Sequence, residues 1–213
     1  MRSVFASTRR THLMHLAQGA GLVAMPTLLP SITHAQTALR PTPSQSEGPF
    51  YPDQQLQDAD FDLLRNGTQN YSNGQAAWVR GQVTDLQGKP VSGAVVEIWQ
   101  CNHEGIYRHS RSSGSAPMVF QGFGRVQAGA DGRYAFRTIK PVQYPGRPPH
   151  IHFKVKLGNR ELLTTQMYIA GEKSNGRDFL TRSLSDAQRA QLEVAFAAGS
   201  DGLAAQFPIA VAA

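Results

Sequence analysis

The stretch Trp78-Val-Arg-Gly-Gln-Val-Thr84, Asp85-Leu-Gln-Gly88-Lys-Pro90 and Ala94-Val-Val-Glu-Ile-Trp-Gln-Cys101 decides the fold, because two runs rich in Val, Ile and Trp flank a segment of turn-forming residues. β-branched and aromatic side chains suit a pleated, half-buried surface, whereas Asp, Gly and Pro interrupt it, so the stretch reads as strand, turn, strand. Similar runs follow at Gly124 to Gln127, at Arg133 to Thr138 after the turn Gly129-Ala-Asp-Gly132, at Ile151 to Leu157 and at Leu162 to Ile169. Strands so spaced, without helical patterns between them, predict an all-β fold: an antiparallel β-sandwich core rather than an open parallel sheet. A short C-terminal helix is expected, with Ser185 or Asp186 capping Ala187 to Ala198 and Gly199 ending it. Upstream, Glu47 to about Gln75 has little periodicity and reads as an irregular N-terminal arm wrapping a core made elsewhere.

The 213 residues, 40% hydrophobic and 17% charged, suffice for one globular core. A single cysteine excludes an intramolecular disulfide and any thiolate-rich zinc or iron-sulfur site. The net charge of +6 is uneven, since no acid precedes Glu47. Residues 1–35 read as a twin-arginine-type signal peptide: Arg9-Arg10, a mildly apolar run from Leu13 to Leu29, then Thr33-His34-Ala35 as a small-x-small cleavage site. That run is too short and too diluted for a membrane span. Cleavage would remove Arg2, Arg9 and Arg10 and lower the charge to +3. The basic residues left are scattered, so no nucleic-acid partner and no stable membrane anchor are expected. The expected location is periplasmic or secreted, with residues 36–46 a disordered linker and 47–213 the folded domain.

Without the leader four histidines remain, His103, His109, His150 and His152, and two share the segment Pro149-His-Ile-His-Phe-Lys-Val155. On a strand, residues i and i+2 point the same way, so both imidazoles leave one face while Ile151 and Phe153 cover the other. This suits chelation, although His-x-His also describes an ordinary polar strand face. Two phenols are candidates to join them, Tyr107 on the condition that its strand lies beside theirs. Tyr144 lies six residues before His150 on a segment stiffened by Pro141, Pro145, Pro148 and Pro149, and Tyr107 follows the strand ending at Cys101.

The ordered set Gly81-x-Val83-x-Asp85-x-x-Gly88-x-Pro90-Val91-x-Gly93-Ala94-x-Val96-Glu97-Ile98-Trp99-Gln100, then Tyr107-Arg108-His109, then Gly146-Arg147-Pro148-Pro149-His150-Ile151-His152-Phe153, resembles the intradiol ring-cleavage dioxygenases. The likeness is nearest to the protocatechuate 3,4-dioxygenase beta chain, and Glu47-Gly-Pro-Phe-Tyr51 and Arg133-Tyr-x-Phe136 fit the same style. The resemblance implies one non-haem Fe(III) per chain, held by Tyr107, Tyr144, His150 and His152. It implies cleavage of a catechol-type ring by O2 between the two hydroxylated carbons, giving a cis,cis-muconate. Tyr144 would leave the metal when the diol binds and take a proton, Arg147 would stabilise charge developing on the ring, and Gln166 and Trp99 would line the substrate pocket. Phenolate, a hard anionic donor, suits trivalent iron, and an ion that acidic can deprotonate a phenol from its ordinary pKa near 10.

Only five residues separate Tyr144 from His150, where better-known members carry a longer insertion that supplies part of the pocket wall. The expected partners are a small aromatic diol and O2, with a possible homodimer in place of a second chain type. Two rival readings stand beside this one: a non-catalytic exported β-sandwich binding module, and a zinc hydrolase on the same scaffold. Spacing alone allows zinc with two histidines and a carboxylate, although the His150 to Lys156 strand carries no acid.

Overall fold

The computed structural model describes residues 38–213 apart from 54, 55, 57 and 113–118. The chain divides into two units, Met1–Ala35 and Gln36–Ala213, and the described residues belong to the second. The leader expected over residues 1–35 lies outside them.

A small hairpin of β1 (Arg65–Asn66) and β2 (Gln69–Asn70) lies within the arm. The six expected strands follow as β3 (Ala76–Asp85), β4 (Val95–Trp99), β5 (Phe123–Gln127), β6 (Arg133–Ile139), β7 (His150–Leu157) and β8 (Arg160–Ile169), each ending within two residues of its predicted bounds. A helix, α1 (Asp186–Leu192), precedes β9 (Glu193–Val194), β10 (Ala197–Gly199), β11 (Gly202–Gln206) and β12 (Ile209–Val211). One sheet joins β10, β11, β3 and β12, with β6 also on β3; the other runs β5-β4-β7-β8-β9. The all-β sandwich is as expected. Three late pairings are parallel, however: β11 and β12 with β3, and β9 with β8.

The helix is shorter than its pattern suggested. Ser185 caps it through a reciprocal box with Gln188, but Glu193 is already extended. Val194 is buried opposite Ile169 in the sheet, and Ala197–Gly199 pairs with β11. Sheet pairing here overrides a weak helical preference. The segment expected to be a disordered linker is also ordered where it is described. Thr42 donates its N–H to Ala210, Gln45 donates to the Thr164 carbonyl, and Thr165 bonds to the Pro43 carbonyl, so residues 38–46 run along β12 and β8.

The two sheets meet over one apolar core. Ile151, Phe153 and Val155 face it from β7, Val96 and Ile98 from β4, and Val79, Val83 and Phe136 from β3 and β6. Phe153 lies 4.8 Å from the Phe207 ring and 6.1 Å from Tyr134. The arm closes one side of the gap between the sheets: Arg125 of β5 donates its N–H to Ala59, Arg137 of β6 to Phe61, and Leu63 to Arg137.

Opposite the core, alternation and register lay polar side chains in rows across the second sheet. Trp99, His152 and Gln166 are in register, and so are Arg125, Glu97, Lys154 and Thr164. The arm covers these rows. Tyr51 packs edge-on to Trp99 at 5.0 Å and donates to Glu97 at 2.8 Å, while Lys154 pairs with Glu47 and sits 4.0 Å from the Tyr51 ring centre. Glu97 is buried but also meets Arg125 at 2.8 Å and Lys156 at 3.0 Å, so its charge is compensated.

Gly81 is the tightest point of the first sheet, where an added Cβ would stand 2.1 Å from the Phe207 carbonyl oxygen and 2.6 Å from the Tyr134 hydroxyl that donates to it. Gly81→Ala should therefore lower stability by about 3 kcal/mol, read from urea melts. Burial alone would raise the Glu97 carboxyl, but bonds from Tyr51 and Lys156 and the charges of Lys156 and Arg125 hold it below its ordinary 4.5. A carboxyl depressed by folding stabilises fully above its unfolded pKa and loses that contribution as pH falls through its folded value. Urea stability should accordingly decline below pH 4.5, and Glu97→Gln should flatten that acid limb while costing roughly 1–3 kcal/mol at neutral pH.

Candidate metal centre

The His-x-His pair leaves β7 on the face away from the core, as alternation requires, and both rings are buried. His150 Nδ1 lies 2.7 Å from the Pro148 carbonyl oxygen, which fixes the proton on Nδ1 and leaves a lone pair on Nε2. That Nε2 stands 3.1 Å from His152 Nε2 and 3.4 Å from the Tyr107 hydroxyl oxygen. Trp99 stacks on His152 at 4.7 Å with the rings 6° from parallel, setting the tilt of the imidazole.

Tyr107 reaches the pair because Asn102 folds the loop after β4. Its side-chain oxygen accepts the backbone N–H groups of Glu104 and Ile106, and Gly105 takes a φ of 78° at the bend. Tyr144 begins a tight turn in which Arg147 N–H donates to the Tyr144 carbonyl at 3.1 Å; Pro145 and Gly146, with a φ of 84°, occupy the positions they hold in a type II turn. The four predicted ligands thus close a circuit of neighbouring rings. Centroids are 5.4 Å apart for Tyr107 and Tyr144, 5.5 Å for Tyr144 and His150, 4.7 Å for His150 and His152, and 6.1 Å for His152 and Tyr107.

Electrostatics keep all four rings of this cluster uncharged. Burial, reinforced by the Arg147 charge, pushes His150 down to about 4, and burial with the charge of His150 holds His152 well below the ordinary imidazole range. Both rings are neutral at pH 7. Burial drives Tyr107 well above the ordinary phenol, and raises Tyr144 too, although the guanidinium of Arg147 pulls the latter back. Both phenols are therefore protonated at neutral pH. The buried His152 Nδ1 has no hydrogen-bond partner among the described residues, so the ring is oriented by its stacking on Trp99. Among the described residues no group of three or more His, Cys, Asp or Glu side chains converges, so the donor set here is two imidazoles and two phenols, without the carboxylate a His-His-acid zinc site needs.

The other expected residues take more specific places. Trp99, expected in the substrate pocket, is 1% exposed and packs with Cys101, Tyr107 and Phe123, so it supports the His152 ring from beneath. Gln166 is also fully buried and committed at both ends: its Oε1 accepts from Arg147 Nη2 at 2.7 Å and its Nε2 donates to the Ser46 carbonyl at 2.9 Å. Arg147 further donates to Asp178, from Nε at 2.9 Å and Nη2 at 3.1 Å.

The arm contributes residues that periodicity did not reveal. Phe50 stacks on Tyr107 at 4.5 Å and 17°, and meets Tyr144 edge-on at 6.0 Å, so one apolar ring steadies both phenols. Asp53 meets His109 at 3.6 Å and accepts from Ser110, clipping the arm to the Tyr107 loop. The sequence signal was the compact Glu47-Gly-Pro-Phe-Tyr51 itself; Asp178 had none.

A family model described as Dioxygenase matches residues 46–213. The protocatechuate 3,4-dioxygenase beta chain of Burkholderia cepacia is 38% identical over 157 residues, 68% of this chain and 66% of that protein. Catechol 1,2-dioxygenase 1 of Acinetobacter lwoffii is 40% identical over 119 residues, 47% of this chain and 38% of that one. This chain therefore spans less than two thirds of the length of these relatives. Among solved structures, the dioxygenase domain of a dioxygenase–carbohydrate-binding protein fusion from Streptomyces sp. SirexAA-E superposes with a TM-score of 0.60 at 30% identity, covering 80% of this chain and 97% of that one. An intradiol ring-cleavage dioxygenase from Tetranychus urticae shares the fold with a TM-score of 0.66 at 19% identity, over 81% and 94% of the two chains. With its matched region running from the arm through Tyr107, Tyr144, His150 and His152 to the last strand, the chain belongs to the intradiol ring-cleavage dioxygenase family.

Proposed function

We propose that this protein is a non-haem Fe(III) intradiol dioxygenase that opens a catechol-type ring between its two hydroxylated carbons, placing both atoms of O2 in a cis,cis-muconate. The observation that carries the reading is the closed circuit of Tyr107, Tyr144, His150 and His152, with His150 Nε2 3.1 Å from the second imidazole and 3.4 Å from the first phenol oxygen. Two neutral imidazoles and two phenols that ionise only beside a cation fit a hard trivalent metal. Ferric iron in this set would supply a Lewis acid that acidifies a bound diol and draws electron density from its ring toward reaction with dioxygen.

The residues divide the remaining work by exposure. Tyr107 is 3% exposed and held between Phe50 and the sheet, so it is the fixed phenolate. Tyr144 is only half-buried, on a turn outside the sheet, and is placed to give way to a diol and take a proton on its phenol oxygen. Arg147 starts the next two-residue link to His150, and its fixed guanidinium would stabilise negative charge developing on the ring. The arm excludes water from the side opposite the core. The leader read over residues 1–35 would export the folded protein to the periplasm or beyond, so its diols are those met outside the cytoplasm.

Iron-loaded protein should bind about one iron per chain and turn red-brown through tyrosinate charge transfer. It should consume one O2 per diol when tested with catechol, protocatechuate and hydroxyquinol, with product spectra showing cleavage between the hydroxyls. A preparation that stays colourless after iron loading, or that retains zinc alone, would overturn the proposal. The two phenols should separate in a second experiment. Tyr107→Phe should weaken iron binding by roughly 10–100-fold, whereas Tyr144→Phe should keep the iron, shift the visible band and lower kcat more than metal content.

A further inference from the structure

Arg147 is held by more than its neighbours on the turn. Its Nε and Nη2 donate to the two carboxylate oxygens of Asp178 at 2.9 and 3.1 Å, and Nη2 also reaches Gln166 Oε1 at 2.7 Å and the Tyr168 hydroxyl oxygen at 3.4 Å. The Asp178 side chain is 0% exposed, so its charge has been taken out of water opposite this one cation. Its own position is fixed by the loop after β8. Asn175 opens a short 3-10 turn, Asn175–Arg177, and anchors it to β8 by donating to the Ile169 carbonyl at 2.9 Å. Arg182 N–H donates to the Asp178 carbonyl at 3.1 Å, and the Thr181 hydroxyl bonds to the Asn175 carbonyl. Tyr168 donates to Gln45 Oε1 at 3.0 Å and Gln166 to Ser46, tying the same network to the arm.

We propose that Asp178 is the positioning residue of the site: its two-point grip on Nε and Nη2 fixes the plane of the Arg147 guanidinium beside Tyr144 and the bound diol. The inference rests on the ring-cleavage reading for its consequence, but not for its geometry. A planar five-donor fork held at two donors by a carboxylate loses its freedom to rotate, and the donors left over then point in one direction only. A guanidinium that must stabilise charge late in the reaction gains from being held before the charge appears, because it need not reorient at that moment. Lysine in place of Arg147 could not be gripped this way, and asparagine in place of Asp178 would turn an amide N–H₂ toward one of the two donors.

Asp178→Asn, Asp178→Glu, Arg147→Lys and the Arg147→Lys/Asp178→Asn double variant test this in the full iron-loaded chain. Asp178→Asn should lower kcat by about 30-fold with KM changed less than about threefold, while the tyrosinate band keeps its wavelength and intensity. Asp178→Glu should recover most of that loss. The double variant should be no slower than Arg147→Lys, because Asp178 acts through the guanidinium. A separate readout needs no turnover: in the metal-free protein the Arg147 Nε–H, identified by its absence in Arg147→Lys, should give a slowly exchanging proton resonance that Asp178→Asn abolishes. The proposal is overturned if Asp178→Asn leaves kcat within about twofold, if its effect adds fully to Arg147→Lys, or if the colour fades as much as the rate. Iron-loaded parent protein without ring cleavage would sink the dioxygenase reading instead, and the Nε–H resonance would still decide whether Asp178 grips Arg147.

Discussion

β7 is buried on both faces, and most of the molecule can be understood as the means of covering it. A strand with Ile151, Phe153 and Val155 on one side needs a second apolar sheet there, and β3, β6 and Phe207 supply it. The same strand carries His150, His152 and Lys154 on its other side, all below 10% exposure, which no sheet could cover without stranding polar groups. The cover is the arm instead, because irregular chain can bring one side chain of the right kind to each polar partner: Glu47 to Lys154, Ser46 to Gln166, Phe50 to Tyr107 and Tyr51 to Glu97. Period-two alternation therefore separates a packing face from a chemical face within one element.

Cross-strand register then sorts the chemical face by function. The row Trp99, His152, Gln166 places an aromatic support, a buried imidazole and a hydrogen-bonding link side by side, and the neighbouring row Arg125, Glu97, Lys154, Thr164 carries the charges. Within the second row the charges pair off and clamp the arm, so they add little field at the first. What remains near the ring circuit is Arg147, itself matched by Asp178. A slip of one residue in β7 against β4 would exchange the faces and bury Lys154 in the core, which makes the register as strongly specified as any in the protein.

The strands were legible in the sequence because their alternation is local; the four rings that the structure brings together are singled out by the family resemblance, with His-x-His on one strand and the phenols beside turn residues with strong backbone preferences. Gly105 and Gly146 have the positive φ angles that place Tyr107 and Tyr144. What escaped depended on partners distant in the chain. Asp178 is an ordinary loop aspartate until β8 turns back and sets it against Arg147, 31 positions earlier. Trp99 reads by resemblance as pocket lining and by composition as core; its stacking on His152 depends on a neighbouring strand that composition does not report. The end of α1 was misplaced for a similar reason: Ala, Gln and Val allow a helix there, and only β8 and β11 decide otherwise. Residues 38–46 have the composition of a linker, yet backbone groups, which composition does not report, dock them onto β8 and β12.

The short link between Tyr144 and His150 carries a mechanical consequence. In a longer insertion the phenol and the arginine could move separately, but here the Arg147 N–H to Tyr144 carbonyl bond and the Pro145-Gly146 corner join them in one turn. Pro148 and Pro149 continue that stiffness to the strand, and the Pro148 carbonyl in turn orients His150. Any displacement of the Tyr144 phenol must then come from its side-chain torsions, because displacing its backbone would pull on Arg147 and on His150 together. Half-exposure of the Tyr144 ring leaves room for such a rotation, whereas Tyr107, enclosed by Phe50 and Trp99's neighbours, has none. The two phenols thus differ in burial and in freedom to rotate, while the turn and Asp178 hold the arginine beside them.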